Sequence, residues 1–336
     1  MSHHIVHLLS PHLRVRMRLD QLHILDREKD LEKSIPLRDI AVIICAAPDA
    51  SFTAASLRRA AELGVLVLIC DEKFQPACLT IPYYQATTSD LPRRQATWPK
   101  QWKAEQWRTV ITAKVMNQAA LLEGVSPKTA EVLQEIARKC AKEPVAADGP
   151  AYRPGKMLAS VTANQRDALR SWSPPACESR AARLYWGKLL PVLDPGERTR
   201  QGGTRRGING MLDYGYAIVR TAVLRSLAAH GFIAALGIQH TTKPGGQPLA
   251  DDLMEPLRPF SDRALLEFLT SDRTWPDSHA ERMKLWIPHA SAVLTQTICI
   301  RGANIRLLNA VDLYVQSLAK ACQGPHPLAV PLLPTP

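Results

Sequence analysis

The chain has 336 residues, 46% of them hydrophobic, enough for one large domain or two medium ones with their own cores. It carries 42 Lys and Arg against 31 Asp and Glu, a net charge of +11. Residues 1–83 hold ten of each sign, so the whole excess lies in the remainder. The basic part implies a polyanionic partner, with nucleic acid ahead of a membrane surface because the charge is spread over several segments; no apolar run approaches the ~20 residues of a membrane span.

Met1 to His7 has no basic region followed by an apolar stretch, so no signal peptide is read there. Seven scattered cysteines, odd in number and without a CxxC pair, suggest neither a disulfide framework nor a zinc knuckle, and a reducing cytoplasmic setting follows.

Leu13, Val15, Met17 and Leu19 alternate with polar residues, which predicts a half-buried strand. Leu22–Leu25 adds a second short strand, and Asp26–Glu32 reads as a charged turn. Ile40–Ala46 and Val65–Cys70 are short apolar runs of the kind found in buried strands. Between them Ser51–Leu63 is predicted helical, with Ser51 or Thr53 as the cap and Gly64 at the stop. Residues 84–98, with Pro92, Arg93 and Arg94, read as a linker. From there the pattern is helical: Lys100–Leu122 closes at Gly124, and Ser126-Pro127 opens the next helix with a cap and a first-turn proline. A Pro/Gly loop spans 144–156, and further helices are expected at 157–172, 176–190, 207–229, 261–270 and 290–321. Residues 323–336 contain five prolines and read as a flexible tail. The expected class is α+β: a small β-rich N-terminal domain (1–83), a linker (84–98), a larger all-α domain (99–322) and the tail.

Three acids and a histidine stand out in the basic part. In Asp251-Asp252-Leu253-Met254-Glu255-Pro256, Asp252 and Glu255 are three apart and share a helix face, while Leu253 and Met254 can anchor the turn in a core. His240 lies upstream. Glu178 sits in a helix-forming stretch with Ala181, Ala182 and Tyr185 on its own face, and an acid on such an apolar stripe needs a partner. Hard oxygen donors with an imidazole suit a divalent cation. A solvated acid pair and a core histidine would give the same spacing, so on periodicity both readings stand.

Arg198, Arg200, Arg205 and Arg206 surround Gly202-Gly203 in a loop suited either to phosphate contacts or to plain solvation. Trp98, Trp102 and Trp107 alternate with cations as base-stacking residues do, but their near-helical spacing favours a packing stripe.

These blocks together resemble the CRISPR-associated integrase family, Cas1, over about residues 5–320. The resemblance rests on Ser34-Ile35-Pro36-Leu37-Arg38-Asp39-Ile40, Leu68-Ile69-Cys70-Asp71-Glu72-Lys73, the Glu178 segment, Asn209-Gly210-Met211-Leu212-Asp213-Tyr214-Gly215-Tyr216, Leu236-Gly237-Ile238-Gln239-His240, and Asp252-Leu253-Met254-Glu255-Pro256-Leu257-Arg258-Pro259. The wording of the last block looks most like members that accompany type II systems. The resemblance implies a β-domain followed by a helical catalytic domain. It implies one Mg2+ or Mn2+ held by Glu178, His240 and Glu255, with Asp252 as a nearby catalytic carboxylate. It implies integration of DNA prespacers into a CRISPR repeat by attack of a 3′-hydroxyl, with endonuclease activity when water attacks instead. A homodimer formed through the N-terminal domain and a higher-order complex with the small partner Cas2 are implied as well.

Arg258, Tyr214, Arg205, Arg206, Lys188 and Arg180 are candidate DNA contacts. For Arg258 the competing reading is a salt bridge to Asp252 or Asp262, and for Tyr214 it is packing between helices. Two residues depart from the family pattern. Ser179 stands where Gly is common, which narrows DNA access, and Asp213 stands where Asn is usual, adding a negative charge. A stand-alone metal-dependent nuclease and a DNA-binding scaffold with a vestigial ion site are the alternative functions.

Overall fold

The computed structural model describes residues 4–26, 28–72, 76–80, 90–142, 173–197, 199–204, 206–241, 246–271, 275–276, 278–300 and 302–335. Eight strands and one helix build the N-terminal part: β1 (His4–Leu8), β2 (Leu13–Arg18), β3 (Gln21–Asp26), β4 (Leu31–Pro36), β5 (Ile40–Cys45), β6 (Ser51–Phe52), α1 (Ala54–Glu62), β7 (Leu66–Cys70) and β8 (Pro76–Thr80). They form two four-stranded sheets, ordered β1-β5-β7-β8 and β4-β3-β2-β6. In the first, β1, β5 and β7 run parallel and β8 closes antiparallel.

The unbroken apolar run Ile40–Cys45 is buried at every position, as a strand covered on both faces must be. Ile40, Ile43 and Cys45 face the second sheet with Val15, Leu22 and Leu37. Ala41, Val42 and Ile44 face the helices. In the second sheet, β2 shows the expected alternation, with Leu13 and Val15 inside and Arg14, Arg16 and Arg18 outside. Thr53 caps α1 by accepting from Ser56 N at 3.2 Å. Gly64, at φ +69°, ends that helix in the left-handed region where a side chain would be strained.

The rest is mainly helical: α2 (Asp90–Ala96), α3 (Lys100–Leu122), α4 (Pro127–Lys142), α5 (Pro174–Leu193), α6 (Gly207–Ala229), α7 (Pro248–Met254), α8 (Arg258–Thr270), α9 (His279–Ala292) and α10 (Leu307–Ala321). A short 3-10 turn, Glu255–Leu257, joins α7 to α8. α3 packs on α4, α5 and this turn, while α6 runs beside α7, α8, α9 and α10. Arg225 of α6 donates to the carbonyl of Gly64 at 3.1 Å, tying the helices to the N-terminal part. Among the described residues no helix is long and apolar enough to cross a membrane.

Four expectations change. The span read as a linker contains α2, because Pro92 falls in the helix's first turn, where its missing N–H costs nothing. The single helix expected over 290–321 is interrupted by an antiparallel hairpin, β9 (Thr297–Ile300) and β10 (Ala303–Arg306), so the larger part is not purely α. Thr297, Ile298 and Ile300 are β-branched and alternate across the strand, and Gly302 turns the chain at φ +77°. β1, β4 and β8 carry too weak an alternation to be read in advance. The helix expected at 157–172 lies outside the described residues.

The Pro-rich tail is the fourth. Ala329 and Leu333 are buried in the helical core. Asn117 of α3, itself 1% exposed, donates to the carbonyls of Pro256 (2.6 Å) and Pro331 (3.0 Å) and accepts from Leu333 N at 2.8 Å. Proline composition removes donors and fixes φ; it does not prevent docking when a buried amide supplies the missing partner. Asn117→Ala removes three hydrogen bonds to buried backbone groups and is expected to cost roughly 2–4 kcal/mol. The loss would appear as a lower melting temperature together with earlier proteolytic clipping of residues 325–335.

Candidate active site

The sequence gives α3 an apolar face broken by polar residues at helical spacing, and those residues meet the three acid and histidine blocks. Lys103 Nζ donates to the Gly237 carbonyl at 2.9 Å. Trp107 sets its ring edge-on to His240, with centroids 5.6 Å apart. Lys114, 9% exposed, places its Nζ 2.7 Å from Glu178 Oε1 and 2.6 Å from Glu255 Oε2. Glu178 comes from α5 and Glu255 from the turn after α7, so two carboxylates distant in sequence converge on one ammonium.

Glu255 is nearly enclosed. Burial alone would raise its carboxyl, but the charges of Arg258 and Lys114 and their hydrogen bonds outweigh that and hold it at about 2. Arg258 Nε and Nη2 both lie 3.0 Å from Glu255 Oε1, and its guanidinium stacks 4.6 Å above the Tyr216 ring. Burial opposes the charge on Lys114 too, and Glu255 and Glu178 more than compensate, leaving its ammonium above the ordinary lysine value.

His240 stands on the loop between α6 and α7. Its Nδ1 is 2.5 Å from Asp252 Oδ1, a contact that raises the imidazole above its usual value against the opposing effect of burial, with smaller contributions from Glu255 and Glu178. The ring's Nε2 is thereby turned away from Asp252, on the half-exposed side of the imidazole. Asp252 itself is fully buried. Its oxygens accept from the backbone N–H groups of Ile238 (2.6 Å), Gln239 (2.9 Å) and His240 (3.1 Å). Gly237 is needed for this clamp, because a Cβ there would lie 2.9 Å from Asp252 Oδ2 and 2.6 Å from the His240 carbonyl. Asp252, grouped with the catalytic acids by the resemblance, thus holds His240 in place and has no oxygen left over for an ion.

The other sequence candidates separate. Tyr214 is fully buried in the helical core with its hydroxyl beside Cys70 of β7, the arrangement of the packing reading. Arg258 forms a salt bridge, with Glu255 rather than Asp252 or Asp262. Lys188 of α5 and Arg206 at the start of α6 are exposed, Arg180 is half-buried, and Arg205 lies outside the described residues. The Gly-rich loop is pinned. Arg200 bonds Asp213 and the Asn209 side chain (2.9 Å), its guanidinium 5.3 Å from the Tyr216 ring centre. Gly203 N donates to Asp213 at 2.7 Å. The acid at 213 is therefore matched to an arginine and a backbone donor, and its charge is neutralised within the loop. Ser179 is exposed on α5 beside Glu178. The tryptophan stripe packs: Trp98 and Trp107 are buried, and Trp102 bonds the Ala321 carbonyl at 3.2 Å.

Sequence reading misses Lys114 and Asn117, and it places Trp107 in the packing stripe without its contact to His240. The signal was present, since Lys114, Asn117 and Gln118 sit on the helix that also buries Val110, Ile111 and Val115, and buried polar residues at helical spacing require partners.

Among the described residues, no three His, Cys, Asp or Glu side chains form a metal cage as they stand. The donor chemistry nevertheless fits a divalent cation. Two carboxylate oxygens already aim at one positive charge, and an imidazole fixed by a buried carboxylate lies close enough to feel both acids. A β-rich part is thus joined to a helical part in which two glutamates share one buried ammonium and a histidine held by a buried aspartate stands on a nearby loop. The family profile of CRISPR associated protein Cas1 matches residues 6–286, and the chain belongs to that family.

The CRISPR-associated endonuclease Cas1 of Neisseria meningitidis serogroup C (strain 8013) is 28% identical over 303 residues, 90% of this chain and 87% of the relative. That of Korarchaeum cryptofilum (strain OPF8) is 26% identical over 271 residues, 78% and 77% respectively. Among solved structures, a casposase bound to its integration product has the same fold, with a TM-score of 0.73 at 19% identity over 97% of this chain and 92% of that one. A CAS1 protein from Thermotoga maritima gives 0.70 at 14% identity over 97% and 99%. A chain of a Cas6-RT-Cas1–Cas2 complex gives 0.67 at 15% identity over 96% of this chain and 35% of that one.

Behind the site, Asp262 of α8 accepts from the hydroxyls of Tyr185 (2.7 Å) and Tyr216 (2.6 Å). Burial, only partly offset by these donors and by Arg200 and Arg258, pushes its carboxyl up from 3.8 to about 6. The folded state therefore holds this proton more tightly than the unfolded chain, so the group's contribution to stability falls as pH rises through that interval and stays low above it. Asp262→Asn removes the titration while leaving an acceptor for the tyrosines. Above about pH 4.5, where Glu255 stays ionised, the stability of Asp262→Asn relative to the parent is expected to improve steadily up to about pH 7, by about 2 kcal/mol in all, read as a rising relative melting temperature. A difference that does not change with pH would contradict the raised carboxyl.

Proposed function

We infer that this chain is a divalent-metal-dependent DNA integrase of CRISPR adaptation that joins the 3′-hydroxyl ends of prespacer DNA to phosphodiesters of a repeat, with endonuclease activity when water replaces the hydroxyl. The observation that carries this reading is the convergence of Glu178 and Glu255 on one cationic position beside a histidine oriented by Asp252. Membership of the Cas1 family supports it, as do curated relatives named as endonucleases and a neighbouring fold seen with an integration product.

Glu178, Glu255 and His240 would hold Mg2+ or Mn2+, the imidazole through Nε2. The ion, when bound, supplies positive charge where a phosphoryl group undergoing displacement gathers negative charge. The remaining work falls to the protein's own groups. Asp252 keeps the imidazole in one orientation and tautomer. Arg258 holds the Glu255 carboxylate ionised and fixed. The Tyr185–Asp262–Tyr216 cluster and the Arg200 loop stiffen the wall against which Arg258 stacks. Exposed Arg183 and Lys188 lie on the helix that bears Glu178, and exposed Arg206 opens the next one. This basic frontage suits a phosphate backbone. No covalent enzyme intermediate is needed, because an activated hydroxyl can attack phosphorus directly.

Partnership with a Cas2-like subunit and a dimer formed through residues 1–83 belong to the same proposal. They are supported by Cas1–Cas2 assemblies among the structural neighbours and by the neutral charge of that segment. Two active centres held at a fixed separation suit a reaction that joins two strand ends at two sites.

The test is strand joining of a 3′-OH duplex into a repeat-bearing plasmid, with the small partner present and Mn2+, Mg2+ or chelator added. Glu178→Gln, Glu255→Gln and His240→Ala are each expected to lower joining by about 100-fold or more, and chelator is expected to abolish it. Joining that persists in chelator refutes the chemistry. Efficient cleavage with no joining favours a stand-alone metal-dependent nuclease, and Glu255→Gln joining as well as the parent favours a DNA-binding scaffold.

A further inference from the structure

Lys114 is buried on α3, and its Nζ lies within 2.7 Å of Glu178 Oε1 and 2.6 Å of Glu255 Oε2. A cation of the Mg2+ type sits ~2.1 Å from its carboxylate oxygens, so an ion bridging the same two oxygens takes the space the ammonium now fills. Two positive centres cannot share that point, and Arg258, bonded to the remaining oxygen of Glu255, already adds a third positive group nearby. Without Lys114, buried Glu255 would face half-buried Glu178 with only Arg258 to offset the two negative charges, an arrangement that disfavours the folded site. The lysine thus does in the metal-free protein what the divalent ion does in the loaded one.

We propose that Lys114 is a built-in counter-ion that competes with the divalent cation for Glu178 and Glu255, keeping the empty site assembled and setting the metal concentration at which it loads. This rests on the ligand assignment made under Proposed function and adds to it a residue that no ligand pattern contains. Loading is then an exchange: the ammonium leaves the two carboxylates as the ion arrives, and the site's net charge rises by one rather than two. The cost of moving the lysine is part of every binding event, so the apparent metal affinity is weaker than the carboxylates and imidazole alone would give.

The test uses the intact chain without DNA. Lys114→Met keeps most of the side-chain volume and removes the charge. In calorimetric titration with Mn2+ it is expected to bind at least about tenfold more tightly than the parent. It is also expected to melt at a lower temperature than the parent in chelator and to gain more from saturating Mn2+. Lys114→Arg, which retains a cation, is expected to keep the parent's weak affinity. A second measurement needs no variant: in lysine-acylation footprinting of the parent read by mass spectrometry, Lys114 is expected to be protected in chelator and several-fold more reactive in Mn2+, with Lys284 unchanged as reference. Mn2+ affinity in Lys114→Met equal to or weaker than the parent's, or protection of Lys114 that persists in saturating Mn2+, overturns the exchange. The two readings fail differently. If Mn2+ binds the parent and binding is lost in His240→Ala, but Lys114→Met binds no tighter, only the lysine's role falls. If His240→Ala and Glu178→Gln bind Mn2+ as the parent does, the ligand assignment falls and the exchange falls with it.

Discussion

A buried carboxylate with a second, half-buried one close by must be neutralised, and much of the helical part is organised around meeting that requirement. Glu178 and Glu255 arrive on elements far apart in sequence, and Glu255 could not enter the interior alone. Lys114 answers both, Arg258 answers Glu255 a second time, and Tyr216 takes the far face of the Arg258 guanidinium. Each neutralising group is itself fixed by packing: Lys114 by the apolar body of α3, and Arg258 by the wall that Asp262 and its two tyrosines make. The charges are satisfied by named partners, so the cluster is held in place without being apolar.

Around this centre the backbone is held by side chains more than by regular structure. The loop bearing His240 has no helix or strand to define it. Its shape comes from Asp252, which takes three consecutive N–H groups, and from a glycine at 237 that lets the chain approach that carboxylate. The Gly-rich loop before α6 is shaped the same way by Asp213 and Asn209, with Arg200 as the bridge. In both places an acid short enough to reach the backbone replaces the hydrogen bonds that a helix would have supplied. This also explains why an aspartate at 213 is tolerated beside a basic frontage: its charge is fully used inside the loop.

What the sequence disclosed follows the range of the interactions involved. The strands with clear alternation or continuous apolar runs, β2, β3, β5 and β7, were legible, as was α1 with its Thr53 cap, because period and capping are local properties. The order of the Glu178, His240 and Glu255 blocks was legible through resemblance. β1 and β4 were not, since their pattern is weak and their partners lie elsewhere in the sheets. The hairpin inside the span 290–321 is four residues to a strand, too short for its alternation to stand out between two helical stretches. Whether Tyr214 packs or binds, which acid Arg258 meets and that Lys114 bridges two glutamates depend on elements brought together only by folding. A buried polar residue announces that it has a partner but not which one.

Asn117 deserves a last consequence. One amide group holds the carbonyl of Pro256, which follows Glu255 directly, and the carbonyl of Pro331 near the chain's end. The C-terminal segment is therefore a mechanical extension of the turn that presents a key carboxylate, with a single side chain as the coupling. A displacement of this segment reaches the acidic turn through two hydrogen bonds, so the position of Glu255 is tied to a strap of chain that runs out to the surface.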